Sequence, residues 1–172
     1  LITLESFGAL TKEEESSPKQ LHDAIESRMA VVSKSVKHPP NFEIAVQARL
    51  AAGKMAHSSA ELLMLRNVKE VDGELQWRTD PRLRTLSPLR MTEKQAVAFL
   101  SGIKCPALSI LGVDGFSELK ESQATRSRHI EHFHFAECEG GHHFHMDFPA
   151  CTAKHVFTFF NKVLKKDQLL CE

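Results

Sequence analysis

The chain has 172 residues, with 42% apolar residues, 26% charged residues and a net charge of zero. This length and composition are typical of one globular protein with a substantial core. The charge balance gives no indication of a nucleic-acid partner, and no apolar run reaches the roughly 18 residues that a membrane-spanning helix needs.

Three apolar segments predict buried strands of a parallel sheet. They are Leu1–Leu4, the segment from Cys105 to Leu111, and the segment from His132 to Cys138. In the third segment we expect the alternation to turn Phe133 and Phe135 inward and the histidines outward.

Mostly helical sequence fills the roughly one hundred residues between the first two strands, which is long for a connection in an α/β fold and predicts an inserted helical subdomain. Its first helix opens at Ser17-Pro18 and carries four apolar residues at helical spacing, Leu21, Ile25, Met29 and Val32. Asp72-Gly73 predicts a hairpin within residues 68–80. After the third strand, a helix from Pro149 to about Lys166 is expected to present one apolar face, made of Val156, Phe157, Phe160 and Leu164.

A glycine pair follows the third strand directly, in the run Gly140-Gly141-His142-His143-Phe144-His145. Two glycines permit a sharp turn. The turn puts a histidine at the carboxyl end of a strand, where open α/β sheets place their chemistry. His142 is therefore the candidate general base, because imidazole exchanges protons near neutral pH.

The order of strand, glycine turn, histidine and helix resembles the end of an α/β hydrolase. Further similarity to serine hydrolase-like proteins lies in three segments, Leu4-Glu5-Ser6-Phe7-Gly8-Ala9-Leu10, Trp77-Arg78-Thr79-Asp80-Pro81-Arg82-Leu83-Arg84 and Ser87-Pro88-Leu89-Arg90. The family pattern Gly-His-x-x-His matches Gly141, His142 and His145, which implies a catalytic role for His142 and a packing or hydrogen-bonding role for His145.

The resemblance implies the C-terminal half of an α/β-hydrolase fold, with parallel strands and a helical cap. Residues 1–10 would then be a core strand and loop, residues 11–103 the cap, and residues 104–172 the rest of the core. The implied chemistry is a serine hydrolase with a Ser-His-acid triad, an ester or similar small-molecule carbonyl substrate, and no cofactor.

Two residues compete for the acid of the triad, Glu5 and Asp114. Asp114 follows the second strand, the usual place for the acid in this family, but many members carry their aspartate where this chain has Gly115. Glu5 follows the first strand, where some branches of the family place the acid. We slightly favour Glu5, because Gly115 leaves the standard position without a side chain.

No metal site is predicted. His132, His134, His142, His143 and His145 fall close together in the sequence, but no Cys or carboxylate cluster with ligand spacing accompanies them. The four cysteines, Cys105, Cys138, Cys151 and Cys171, lack tight spacing. We interpret them as reduced thiols of an intracellular protein, with the cytoplasm as the expected compartment and the peroxisome left open; a disulfide in a secreted protein is the alternative.

The Gly-x-Ser-x-Gly nucleophile elbow does not occur in the 172 residues. We therefore expect the chain to be a fragment that carries the base and the acid of a hydrolase and is inactive alone. The alternatives are a non-enzymatic binding fragment, or another reaction of the fold such as dehalogenation by an aspartate nucleophile.

Overall fold

A computed structural model describes the backbone of residues 1–169 and the side chains of residues 1–163. The expectations for Leu164 and Cys171 lie outside those side chains. The helices and strands, in chain order, are β1 (Ile2–Leu4), α1 (Ser17–Val32), α2 (Phe42–Ala52), α3 (His57–Asn67), β2 (Val68–Val71), β3 (Glu74–Trp77), α4 (Glu93–Ser101), β4 (Ala107–Gly112), α5 (Ser117–Arg126), β5 (Phe133–Cys138), α6 (Phe144–Asp147) and α7 (Pro149–Leu169).

The chain forms two compact units. The first joins Leu1–Gly8 to the chain from Gln95 onward, and the second is Ala9–Lys94. Residues 95–103, assigned to the helical segment in the sequence analysis, pack with the first unit.

The first unit is built on a parallel sheet in the order β1-β4-β5, which confirms an α/β fold. Every residue of β4 is buried, since apolar clusters cover both faces of the sheet. One cluster contains Leu108, Ile110, Cys138, Phe144 and Phe159, and the other contains Phe7, Leu100, Ala107 and Ile130. A central strand covered on both sides needs a continuous apolar sequence, as the segment from Cys105 to Leu111 has.

The expected inward faces of β5 and α7 are partly wrong. Phe135 is 44% exposed, whereas the ring of His134 packs 5.5 Å from that of Phe159 on α7. On α7, Phe157 and Phe160 are exposed, and the side chains that pack on the sheet are Val156, Phe159 and Val163. On α7 the sequence offers two neighbouring apolar stripes, and tertiary packing rather than periodicity decides which one is buried. On β5 each face of the sheet has its own apolar cluster, so alternation alone does not define a single inward face.

The second unit has its core between α2, α3 and the hairpin β2-β3. Its buried residues are Ala45, Val46, Ala60, Met64 and Val68. The hairpin is confirmed, with Asp72 and Gly73 both at positive φ, 52° and 79°, as a type I′ turn requires. Helix α1 is also confirmed, but its buried residue is Ala24. The four apolar side chains expected on one face are at least half exposed: Leu21, Ile25, Met29 and Val32. Among the described residues, no helix is both long and apolar enough to cross a membrane.

Candidate active site

The candidate site lies in the first unit, at the edge where three parallel strands end. The register pairs Leu4 of β1 with Ile110 of β4, and Gly112 of β4 with Cys138 of β5. Because the strands are parallel, the loops that follow them leave from the same edge of the sheet. Those loops carry Glu5, Asp114 and His142 respectively.

Glu5 is a buried carboxylate held by the backbone. Its side chain accepts hydrogen bonds from the N–H of Gly112 (2.7 Å, to Oε2) and from the N–H of Phe116 (2.9 Å, to Oε1). Its own N–H donates to the carbonyl of Ile110 at 2.9 Å, and the residue is 4% exposed. Glu5 also has a φ of 44°, a conformation that a non-glycine residue adopts at a cost of about 1–2 kcal/mol. Strain of this kind at a buried charged residue is a reason to suspect function.

The Glu5 carboxylate fits against a position without a side chain. A Cβ added to Gly115 would lie 2.7 Å from Cδ and 2.8 Å from Oε2 of Glu5. Any larger residue at position 115 would therefore displace the carboxylate. The space that a side chain at position 115 would need is occupied by the carboxylate of Glu5.

Asp114 is placed differently. It is exposed, and within the described residues its carboxylate makes no hydrogen bond or ion pair. Its backbone is structural, because its N–H donates to the carbonyl of Gly140 at 2.9 Å. Asp114 thus helps to join two loops through its main chain and leaves its side chain in solvent.

Glycines allow the loop of His142 to lie directly on the loop after β4. A Cβ on Gly112 would come within 2.6 Å of the carbonyl oxygens of Gly140 and Gly141. Gly140 has a φ of 98°, which only glycine adopts readily. The N–H of Val113 also donates to the carbonyl of Cys138 at 2.8 Å. These contacts fix the position of the backbone just before His142.

Phe116 connects Glu5 and His142. Its N–H binds the Glu5 carboxylate, and its ring lies 4.7 Å from the His142 ring, centroid to centroid. The Nδ1 atom of His142 is buried and, within the described residues, has no hydrogen-bond partner. No hydrogen bond joins His142 to Glu5 in this structure, so the two groups are neighbours of one residue rather than direct partners.

The two other histidines of the loop lie next to His142 along the chain. The His143 ring lies 4.7 Å from that of His142 and 6.0 Å from that of His145. His145 packs edge-on against Phe144, which is fully buried, and its Nδ1 is a second buried nitrogen without a partner among the described residues. The packing or hydrogen-bonding role expected for His145 stays a prediction.

The interpretation of the cysteines as reduced thiols is wrong for one pair. Cys138, the last residue of β5, forms a disulfide with Cys151 of α7, with a Cα–Cα distance of 6.0 Å. The thirteen-residue separation of these cysteines carries no pairing signal, since the contact arises from the packing of α7 on the sheet. Cys105 is a free, exposed thiol.

Three side chains that could hold a metal ion lie close together at a place that the sequence analysis did not consider. The ligand atoms of Cys138, Cys151 and His155 all lie within 4.8 Å of one another. The available signal was Cys151-x-x-x-His155, a spacing that puts both side chains on one face of a helix.

No protein-family model matches the chain, but individual proteins do. It is 25% identical over 92% of its length to a serine hydrolase-like protein of Dictyostelium discoideum, and 29% identical over 70% of its length to one of Danio rerio. These alignments cover 48% and 38% of the two relatives, so the chain spans about half the length, or less, of the curated relatives it matches.

Solved structures share the fold of the chain. A hypothetical protein of Pseudomonas aeruginosa superposes with a TM-score of 0.81 at 29% identity, over 94% of this chain and 58% of that one. A thioesterase domain from the curacin biosynthetic pathway gives 0.66 at 23% identity, covering 91% and 57% of the two chains. A peroxisomal α/β-hydrolase of Saccharomyces cerevisiae gives 0.62 at 13% identity, covering 94% and 45%.

The strand order, the loops at the strand ends and these similarities define the class. The chain has an α/β fold with a parallel sheet that matches α/β-hydrolase structures over most of its length. The curated proteins it resembles are serine hydrolase-like proteins.

Proposed function

We propose that this chain supplies the base and the acid of a serine hydrolase that cleaves an ester or a similar carbonyl substrate. His142 is the general base, and Glu5 is the acid that orients it. The observation that carries the proposal is the Glu5 carboxylate, which is buried at the strand edge and held by the N–H of Phe116, whose ring packs on His142. Exposed Asp114, without a side-chain partner among the described residues, is the weaker alternative.

The proposed chemistry gives each nitrogen of His142 one task. Nε2 takes the proton from the serine hydroxyl as the serine attacks the carbonyl carbon, and returns it to the leaving group. Nδ1 donates to the Glu5 carboxylate, which stabilises the imidazolium that forms. The buried, unpartnered Nδ1 supports this assignment, because catalytic hydrogen bonds are often long in the free enzyme and tighten when substrate binds.

The nucleophile belongs, in this proposal, to sequence outside the 172 residues. Two observations support that view: Gly-x-Ser-x-Gly is absent from the chain, and the chain spans about half the length, or less, of its curated relatives. The serine and the oxyanion-hole amides would then come from the remaining part, and the second unit, Ala9–Lys94, would form the helical cap. The 172 residues by themselves are expected to be inactive, and the reaction needs no cofactor.

The first experiment is to determine the complete transcript and to express the full-length protein. A reading frame with Gly-x-Ser-x-Gly ahead of Leu1 predicts labelling by a fluorophosphonate probe and hydrolysis of p-nitrophenyl esters. His142→Ala should then lower kcat by roughly 10⁴-fold or more. His132→Ala, at an exposed histidine in the same unit, is the matched control and should keep full activity.

Other outcomes distinguish the alternatives. A full-length protein without a nucleophile elbow, inert to the probe, would reject the hydrolase and leave a binding protein. An aspartate at the elbow, with halide released from a haloalkane, would replace ester hydrolysis by dehalogenation. Unchanged activity in His142→Ala would remove the base assignment while leaving the hydrolase itself intact.

A further inference from the structure

Three soft or borderline ligands meet where β5 contacts α7. Cys138 is 1% exposed at the end of β5, Cys151 lies in the first turn of α7, and His155 lies one turn later. All three ligand atoms are within 4.8 Å of one another. None of the three side chains has a role in the chemistry proposed for His142 and Glu5.

The surrounding fold holds these side chains in place before any ligand binds. Cys151 and His155 are four residues apart on one helix, so they project from the same face. Helix α7 is packed on the sheet by the apolar cluster that includes Cys138, Phe144 and Phe159. A small cation would therefore not have to order a loose segment in order to bind.

We propose that the reduced chain binds a thiophilic divalent cation, of the Zn²⁺ class, through Cys138, Cys151 and His155. Two thiolates and one imidazole are a donor set that zinc accepts in tetrahedral geometry, with bonds of about 2.3 Å to sulfur and about 2.0–2.1 Å to nitrogen. A water or a fourth donor completes the coordination. The thiolates would separate by a side-chain rotation from their bonded positions.

The disulfide and the metal site are alternative states of the same cysteines. A dithiol reductant transfers two electrons and two protons to the Cys138–Cys151 disulfide and leaves as its own disulfide. Zn²⁺ then binds the two thiols and releases two protons. Oxidation by hydrogen peroxide reverses the change. Two electrons pass from the thiolates to the peroxide, the S–S bond forms as the O–O bond breaks, two protons are taken up to give two water molecules, and the cation is released.

Both the disulfide and the bound cation link the end of β5 to the start of α7. The loop that carries His142 lies between these two points in the sequence. Cys138 stands four residues before His142, and Cys151 nine residues after it. The metal-free dithiol lacks this tie. Binding of the cation does not require the chemistry proposed for His142 and Glu5.

The test is cobalt titration of the reduced full-length protein under anaerobic conditions. We expect equimolar Co²⁺ to produce thiolate-to-cobalt charge-transfer absorption and tetrahedral ligand-field bands, which Zn²⁺ abolishes. Cys151→Ser should lose the charge-transfer absorption or weaken it strongly, and His155→Gln should shift the ligand-field bands. Cys105→Ser changes a free, exposed thiol outside the cluster and should leave the spectrum unchanged.

One comparison needs no variant and so does not depend on how a variant folds. The protein oxidised with peroxide should give none of the thiolate absorption that the reduced protein gives. Absence of that absorption in the reduced protein, or its persistence in Cys151→Ser with the same intensity, would overturn the proposal. Reversible disulfide formation without any metal binding would also overturn it, and would leave the pair as a redox couple only.

Discussion

The carboxylate of Glu5 occupies the space in which a side chain at position 115 would lie. A Cβ on Gly115 would fall 2.7 Å from Cδ of Glu5, well inside contact distance. Residues more than one hundred positions apart are therefore complementary, one providing a carboxylate and the other providing room for it. This relationship explains why the residue after Asp114 is a glycine although its φ is not positive.

Gly115→Ala should destabilise the first unit, because the new methyl group overlaps a carboxylate that two backbone N–H groups hold in place. Overpacking of this kind costs about 1–3 kcal/mol. Denaturant unfolding of the full-length protein measures the change. Gly53→Ala is the control, since Gly53 is in extended backbone and a Cβ there would meet only the flexible Arg49 side chain, at 3.7 Å. Equal stability of the two variants would contradict the packing described here.

The two candidate acids can be separated by isosteric amide substitutions. If Glu5 orients His142, Glu5→Gln should lower kcat by on the order of 10³–10⁴-fold with a small effect on KM, because the amide no longer stabilises the imidazolium. Asp114→Asn should leave kcat near the wild-type value, since its carboxylate is exposed. The reverse pattern would assign the acid to Asp114.

Moving the carboxylate provides a stricter test of the same point. The double variant Glu5→Gly, Gly115→Asp places an acid at the position that the resemblance to α/β hydrolases implies, and it removes the clash. It should recover activity that Glu5→Gly alone loses, as measured by kcat on the same ester. Failure of the double variant, with intact folding by circular dichroism, would mean that the position of the Glu5 carboxylate is not interchangeable with position 115.

The corrected face of α7 predicts a contrast between two phenylalanines. Phe159 is 6% exposed in the sheet-facing cluster, whereas Phe157 is 69% exposed. Phe159→Ala should lower the free energy of unfolding by about 3–5 kcal/mol. Phe157→Ala should change it by no more than about 0.5 kcal/mol. Chemical denaturation of the two variants checks the prediction. A large loss in Phe157→Ala would show that other sequence covers that face in the full-length protein.

Asp80 provides a pH-dependent contact in the second unit. Hydrogen bonds to the Asp80 carboxylate lower its pKa from 3.8 to about 2. The larger effect comes from the side chain of Arg82 and the smaller from the backbone N–H of the same residue. Because the pKa is lower in the folded state, the contact contributes its full stabilisation at pH values above the pKa of Asp80 in the unfolded chain. The contribution is lost as the pH falls through about 2. An NMR titration should find the low Asp80 pKa, and Arg82→Ala should return it towards 3.8.

Local sequence predicted the features that depend on neighbouring residues. Asp72-Gly73 predicted the hairpin because its turn needs two positive φ values, and the apolar run before Gly112 predicted a buried strand. The glycine pair placed His142 after a strand end, since tight turns limit where the chain can go. These predictions hold because each rests on backbone conformation within a few residues.

Tertiary structure decided what depends on residues that are distant in sequence. Only the parallel pairing of β1 with β4 brings Glu5 to Gly112, Gly115 and Phe116, where the strand-end amides bind its carboxylate. The packing of α7 on the sheet likewise pairs Cys138 with Cys151 and turns Phe159, not Phe157, inward. Sequence periodicity identifies a helix or a strand, but the partner that buries each face is set by packing across the whole unit.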